Sequence, residues 1–89
     1  MITPEQFDEF LKLINCNAFT DVVKLNDKYY VVDSVYTLDK GYETMIFDGD
    51  KNGEVTDWSG VYTEYHSNYE EMKSRHNYII GNIQEVLHG

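Results

Sequence analysis

The chain has a single cysteine, Cys16, among its 89 residues. A lone thiol excludes an internal disulfide and a cysteine-rich metal site, and it suits a reducing compartment. Basic residues are also scarce: seven Lys and Arg stand against sixteen Asp and Glu, for a net charge of −9. Direct binding to nucleic acid needs clustered Lys and Arg to replace condensed counterions, so it is disfavoured. The same charge repels anionic lipid surfaces. No stretch approaches the roughly 18 apolar residues of a membrane span. No basic segment followed by an apolar run opens the chain, so no signal peptide is expected and the cytoplasm is the expected location. There is no P-loop, dinucleotide fingerprint or nucleophile elbow. Cys16 has no histidine near it in sequence. A non-catalytic protein without cofactor follows from these absences.

What is present reads as one α+β domain over residues 1–89. Apolar residues make up 42% of the chain and aromatics 15%, enough for one core. The charge is uneven. Residues 41–71 hold eight acids (Glu43, Asp48, Asp50, Glu54, Asp57, Glu64, Glu70 and Glu71) and only Lys51. Such a segment favours a basic partner and speeds encounter with it. Alternatively, the charge serves only to keep a small protein dissolved.

Thr3-Pro4-Glu5-Gln6 is a helix start with a capping box, and Phe7, Phe10, Leu11 and Ile14 follow at helical spacing. A helix over about 4–15 is expected. Asp21–Leu25, Lys28–Leu38, Tyr42–Phe47 and Val55–Tyr65 read as four strands, separated by Asn26-Asp27, Asp39-Lys40-Gly41 and a polar loop at 48–53. Gly60 sits where a bulge switches faces. Ser67-Asn68-Tyr69-Glu70 reads as a second capping box, with Ser67 as the cap. Tyr69, Met72, His76, Ile79, Ile80, Ile83, Val86 and Leu87 then mark one helical face to about residue 87. The expected architecture is an antiparallel sheet of about four strands, with the N-terminal and C-terminal helices packed on one face.

Three constellations bear on function. Asp48-Gly-Asp50-Lys-Asn52-Gly53-Glu54-Val55 matches the first half of an EF-hand loop, but Ser59 stands where the closing Glu belongs and the flanks are strands. A hairpin turn uses the same residues for their geometry; a weak calcium-binding hairpin is the alternative. His76 lies on the apolar stripe of the last helix and is expected in the core, hydrogen-bonded. His66, at the strand–helix junction, is expected at the surface. Finally, acids and aromatics interleave along the third and fourth strands. Glu43, Asp48, Asp50, Glu54, Asp57 and Glu64 supply carboxylates, with Trp58 and Tyr62 as anchors for a partner. The competing reading makes those aromatics core and those acids the solvated face.

Tyr42–Phe47, then Asn52-Gly53-Glu54-Val55-Thr56-Asp57-Trp58, Tyr65, and Glu70-Glu71-Met72 with His76 four residues on form a further pattern. It resembles a family of short uncharacterised phage and prophage proteins, mainly from Gram-positive bacteria, over about residues 42–80. The resemblance implies a phage origin and a bacterial host cytoplasm. The family carries no established activity over to this chain, but small acidic phage proteins often bind host proteins, counter-defence inhibitors such as anti-CRISPR and DNA-mimic proteins among them. With the acidic, aromatic-bearing strands, the expected role is a non-catalytic accessory protein that binds a basic surface of a host protein, one that handles nucleic acid being the natural target. A homo-oligomeric structural phage component is a further alternative.

Overall fold

A computed structural model describes Thr3, Gln6 and residues 17–89. Four strands come first: β1 (Asn17–Leu25), β2 (Lys28–Thr37), β3 (Gly41–Gly49) and β4 (Val55–His66). Two helices follow: α1 (Tyr69–Gly81) and α2 (Ile83–His88). The strands pair antiparallel in chain order, β1-β2-β3-β4. This is the expected four-stranded antiparallel α+β arrangement. The helix anticipated over 4–15 lies outside the described residues. Its capping box is present: the Thr3 N–H donates to Gln6 Oε1 at 2.9 Å, and the Gln6 N–H donates to Thr3 Oγ1 at 3.2 Å.

Alternation along the strands sorts the side chains. Tyr30, Val32 and Ser34 of β2 and Thr44 and Ile46 of β3 turn toward the helices and are buried. Met72, His76 and Ile79 of α1 meet them, and Ile83 of α2 extends the same core. Burying an aliphatic side chain of this size stabilises by about 1.5–3 kcal/mol each. Val32, Ile46, Met72 and Ile79 are therefore the main apolar supports of the fold.

The second helical stretch differs from expectation at both ends. Asn68, not Ser67, is the cap: in extended backbone, its Oδ1 accepts the Glu71 N–H at 2.9 Å. The stripe to residue 87 is broken at Asn82. There the backbone leaves helical geometry, the Asn82 N–H donates to the Ile79 carbonyl, and Nδ2 donates to the Tyr78 carbonyl. Asn82 thus satisfies two carbonyls that a helix end leaves open. The break redirects the chain so that Ile83, Val86 and Leu87 reach the core through α2.

β4 carries the expected irregularity. Ile46 pairs with Tyr62 and Asp48 with Asp57, so two steps on β3 match five on β4. The surplus is a bulge at Trp58-Ser59-Gly60-Val61, and Gly60 sits at φ 78°, where a side chain is strained. Beyond the bulge, Tyr62, Glu64 and His66 lie on the helix side. Within it, the Trp58 ring stands edge-on to Phe47, 5.3 Å away, on the face opposite α1 and α2.

Candidate functional site

The face turned away from α1 and α2 is not bare at the β3–β4 end, because the hairpin tip bends over it. A methyl group on Gly53 would lie 3.0 Å from Val22 Cγ2, and one on Gly49 would lie 2.7 Å from Val31 Cγ2. Under this tip Val31 and Phe47 are buried on the face that α1 and α2 leave uncovered. Beside them runs an open groove of about 450 Å³. Val31, Phe47 and Val55 line it with Trp58, and Asp33 and Glu54 supply its carboxylates. Trp58 is 73% exposed, and Val22, Val61 and Tyr65 are exposed on the same face.

The carboxylates around this groove differ in what they already do. Asp50 Oδ1 accepts the N–H groups of Asn52 (2.8 Å) and Glu54 (3.1 Å), and the Gly53 N–H donates to the Asp50 carbonyl. Asp57 Oδ1 accepts both the N–H and the hydroxyl of Ser59, which holds its carboxyl below the ordinary range. These two acids build their own turns. Asp33 Oδ1 accepts the Thr20 hydroxyl at 2.9 Å, yet burial pushes its carboxyl above the ordinary value. Glu54 is exposed, with no ion pair among the described residues. The groove thus joins an apolar aromatic floor to carboxylates that meet no cation among the described residues.

A second constellation threads the core. Asp21 Oδ2 lies 2.7 Å from His76 Nε2, and His76 Nδ1 lies 2.7 Å from Ser34 Oγ. Ser34 Oγ is 2.6 Å from Thr44 Oγ1, which is 2.8 Å from His66 Nε2. The directions of these bonds follow from the ends. With His76 Nε2–H donating to the Asp21 carboxylate and Nδ1 serving as acceptor, Ser34 donates to His76. Ser34 then accepts from Thr44, and Thr44 accepts from His66 Nε2–H. That leaves His66 Nδ1 as a bare acceptor, and this buried atom has no hydrogen-bond partner among the described residues. Glu64 Oε2 comes within 3.5 Å of it, but this is no ion pair at neutral pH, since burial holds the His66 imidazole below its ordinary pKa.

Comparisons with protein-family models, curated proteins and solved structures find no match for the chain.

The site rests on geometry alone, and the geometry divides the expected partner-binding residues. Asp50, Glu54, Asp57 and Trp58 gather at the hairpin end. Glu43 does not join them: it is 6% exposed, in mid-sheet on β3 opposite Tyr65. Asp48 is taken by the chain's own Lys28, 3.1 Å away, a charge contact off-line for a hydrogen bond. Glu64 is held by Arg75 in a two-pronged bond, 2.8 Å on each prong, and also accepts the Tyr62 hydroxyl. That pairing lowers the Glu64 carboxyl and raises the Arg75 guanidinium and the Tyr62 phenol. Tyr62, expected as an anchor, is half-buried and packs toward the helices, against the core, away from the groove.

Two further expectations are decided here. His76 is a satisfied core residue, as expected, with both ring nitrogens partnered. His66 is not at the surface: only 1% of its side chain is exposed, because the bulge sets it on the helix side against Thr44. Sequence reasoning missed Asp33 and Phe47 as groove residues. Their alternation marked the face, but the bent hairpin tip that makes a groove of it had no sequence signal beyond Gly53 and Gly60. It also missed Asp21, Ser34 and Thr44, which are ordinary strand residues until the register brings them together.

Asp21, His76 and Ser34 reproduce the acid–imidazole–hydroxyl order of hydrolases. Ser34 has no exposed surface, lies in mid-strand and bonds Thr44 on its other side. A substrate carbonyl has no approach to it. Among the described residues no group of three or more His, Cys, Asp or Glu is placed to hold a metal ion, and no helix is long and apolar enough to cross a membrane.

Proposed function

We propose that the protein is a non-catalytic interaction module whose β3–β4 hairpin end binds a basic surface of another protein. One observation carries this reading: a largely exposed Trp58 stands over an apolar groove rimmed by Asp33 and Glu54, with Asp50 and Asp57 alongside. Large exposed aromatics beside desolvated polar groups are what interface hot spots are made of. The resemblance to phage proteins makes a bacterial host protein the natural partner. A protein that handles nucleic acid presents the Lys and Arg the site would meet. A DNA-mimic form is not favoured, since Glu43, Asp48 and Glu64 are buried or paired and too few free carboxylates remain to trace a phosphate backbone.

The test uses a tagged chain and bacterial lysate. Glu54→Lys reverses an exposed charge that supports no turn, whereas reversing Asp50 or Asp57 would also break the bonds that shape the hairpin. The expected result is that a protein retained by the wild type at low salt is lost with Glu54→Lys, with Trp58→Ala and in high salt. Equal retention by all three proteins would overturn the reading.

A further inference from the structure

Resting on that reading, we infer that the groove under the hairpin tip receives an arginine side chain of the partner, its guanidinium stacked on Trp58 and hydrogen-bonded by Asp33 and Glu54. The groove supplies both halves of what a guanidinium needs. Its floor is Val31 and Phe47, against which the aliphatic stem packs, and its wall is an indole. Planar guanidinium stacks on aromatic faces and is more weakly hydrated than an ammonium, so it enters a partly dry groove at lower cost. Its rigid, planar fork of N–H donors meets carboxylates at two points while lying flat on a ring, a geometry that a tetrahedral ammonium does not offer.

Asp33 gives the site its selectivity. The Thr20 hydroxyl fixes one oxygen of this half-buried carboxylate, and Oδ2 has no partner among the described residues. A carboxylate removed from water with one oxygen unbonded gains most from a cation that donates to it directly. Glu54, at the exposed rim, attracts and orients the same group. The chain already uses this chemistry once: Arg75 is gripped by both oxygens of Glu64 while lying 4.8 Å from the centre of the Tyr78 ring. In that case arginine, carboxylate and aromatic ring are all supplied by the chain itself. At the groove only the arginine is missing.

Trp58 is the sole tryptophan, so its fluorescence reports on this groove alone. The protein is titrated with three octapeptides of alternating glycine and one other residue: arginine, lysine or uncharged citrulline. The expected result is a change in Trp58 emission with the arginine peptide and binding at least about tenfold tighter than to the lysine peptide, with none to citrulline. Asp33→Asn keeps an acceptor for Thr20 and is expected to weaken arginine binding about tenfold at an unchanged urea midpoint. Glu54→Gln, exposed and outside the core, gives the same comparison should Asp33→Asn fold poorly. Equal binding of arginine and lysine peptides with unchanged emission would overturn the arginine groove while leaving the acidic-surface reading intact. No binding by either peptide would overturn the groove, and the lysate experiment then decides the broader reading by itself. A change in emission with protein concentration alone would assign the groove to a second copy of the chain and also overturn the inference.

Discussion

Ser34→Ala removes the middle link of the buried chain from Asp21 to His66. Ser34 has no exposed surface and bonds both Thr44 and His76. Its loss strands two groups, His76 Nδ1 and the Thr44 hydroxyl proton, in a place water does not reach. A buried polar group without a partner costs about 1–3 kcal/mol, so the variant should lose about 2–6 kcal/mol. That is a large share of the roughly 5–15 kcal/mol by which such domains are stable. At about 4–8 °C per kcal/mol, the melting temperature should fall by about 10 °C or more. The direction of the bonds gives a sharper test. Thr44→Val strands only His66 Nε2–H, because Ser34 still donates to His76, and should cost about 1–3 kcal/mol. In the double variant the stranded Thr44 proton no longer exists. Its cost should therefore fall below the sum of the single costs by about 1–3 kcal/mol. Urea unfolding of the four proteins at equal slope measures this cycle. A Ser34→Ala cost under about 0.5 kcal/mol, or strictly additive costs, would refute the network as drawn.

The Glu64 carboxyl is held below its ordinary value near 4.5 by Arg75, so its share of stability is present above pH 4.5 and is lost as pH falls through the lower folded value. Glu64→Gln should flatten acid unfolding below that pH, by an amount on the order of 1 kcal/mol because Arg75 is partly in water. His66 is depressed by burial, so stability should be full above its ordinary value of 6.5 and decline as pH drops below it, read as a falling urea midpoint. Gly81→Ala should raise the urea midpoint, since a methyl there meets nothing within 4 Å and alanine is favoured in a helix by about 1 kcal/mol. Calcium at millimolar concentration should leave the amide shifts of residues 48–59 unmoved, because Asp50 Oδ1 already holds two N–H groups and Asp48 faces Lys28.

Much of the fold could be read from local pattern. Valine and tyrosine alternation with Asn26-Asp27 and Gly41 between runs marks the strands, since turn chemistry and period act over a few residues. The helical stripe through Met72, His76 and Ile79 is equally local. The stop at Asn82 was not legible, because a side chain and a backbone N–H reaching back to Tyr78 and Ile79 leave no mark in hydrophobic period. The site was harder to read because charge pairing is set by tertiary distance. Glu64 and Arg75 are eleven residues apart, and Lys28 and Asp48 twenty. In sequence, Asp48 and Glu64 resemble Glu54; in space they are paired and Glu54 is not. His66 reads as a junction residue, and only the three-residue surplus at Gly60 turns it inward. The bulge itself was anticipated from Gly60, but the direction in which it sends Trp58 needed the register with Phe47.

In the proposed complex the partner lies against Trp58 and the carboxylates of the hairpin end. Amide and indole shifts of the labelled chain, measured in complex with the protein it retains from lysate, locate that contact. The largest shifts are expected at the Trp58 indole N–H and the amides of residues 31–33 and 47–58, with α1 and α2 unaffected. Shifts concentrated on α1 and α2, with the Trp58 indole unmoved, would contradict it.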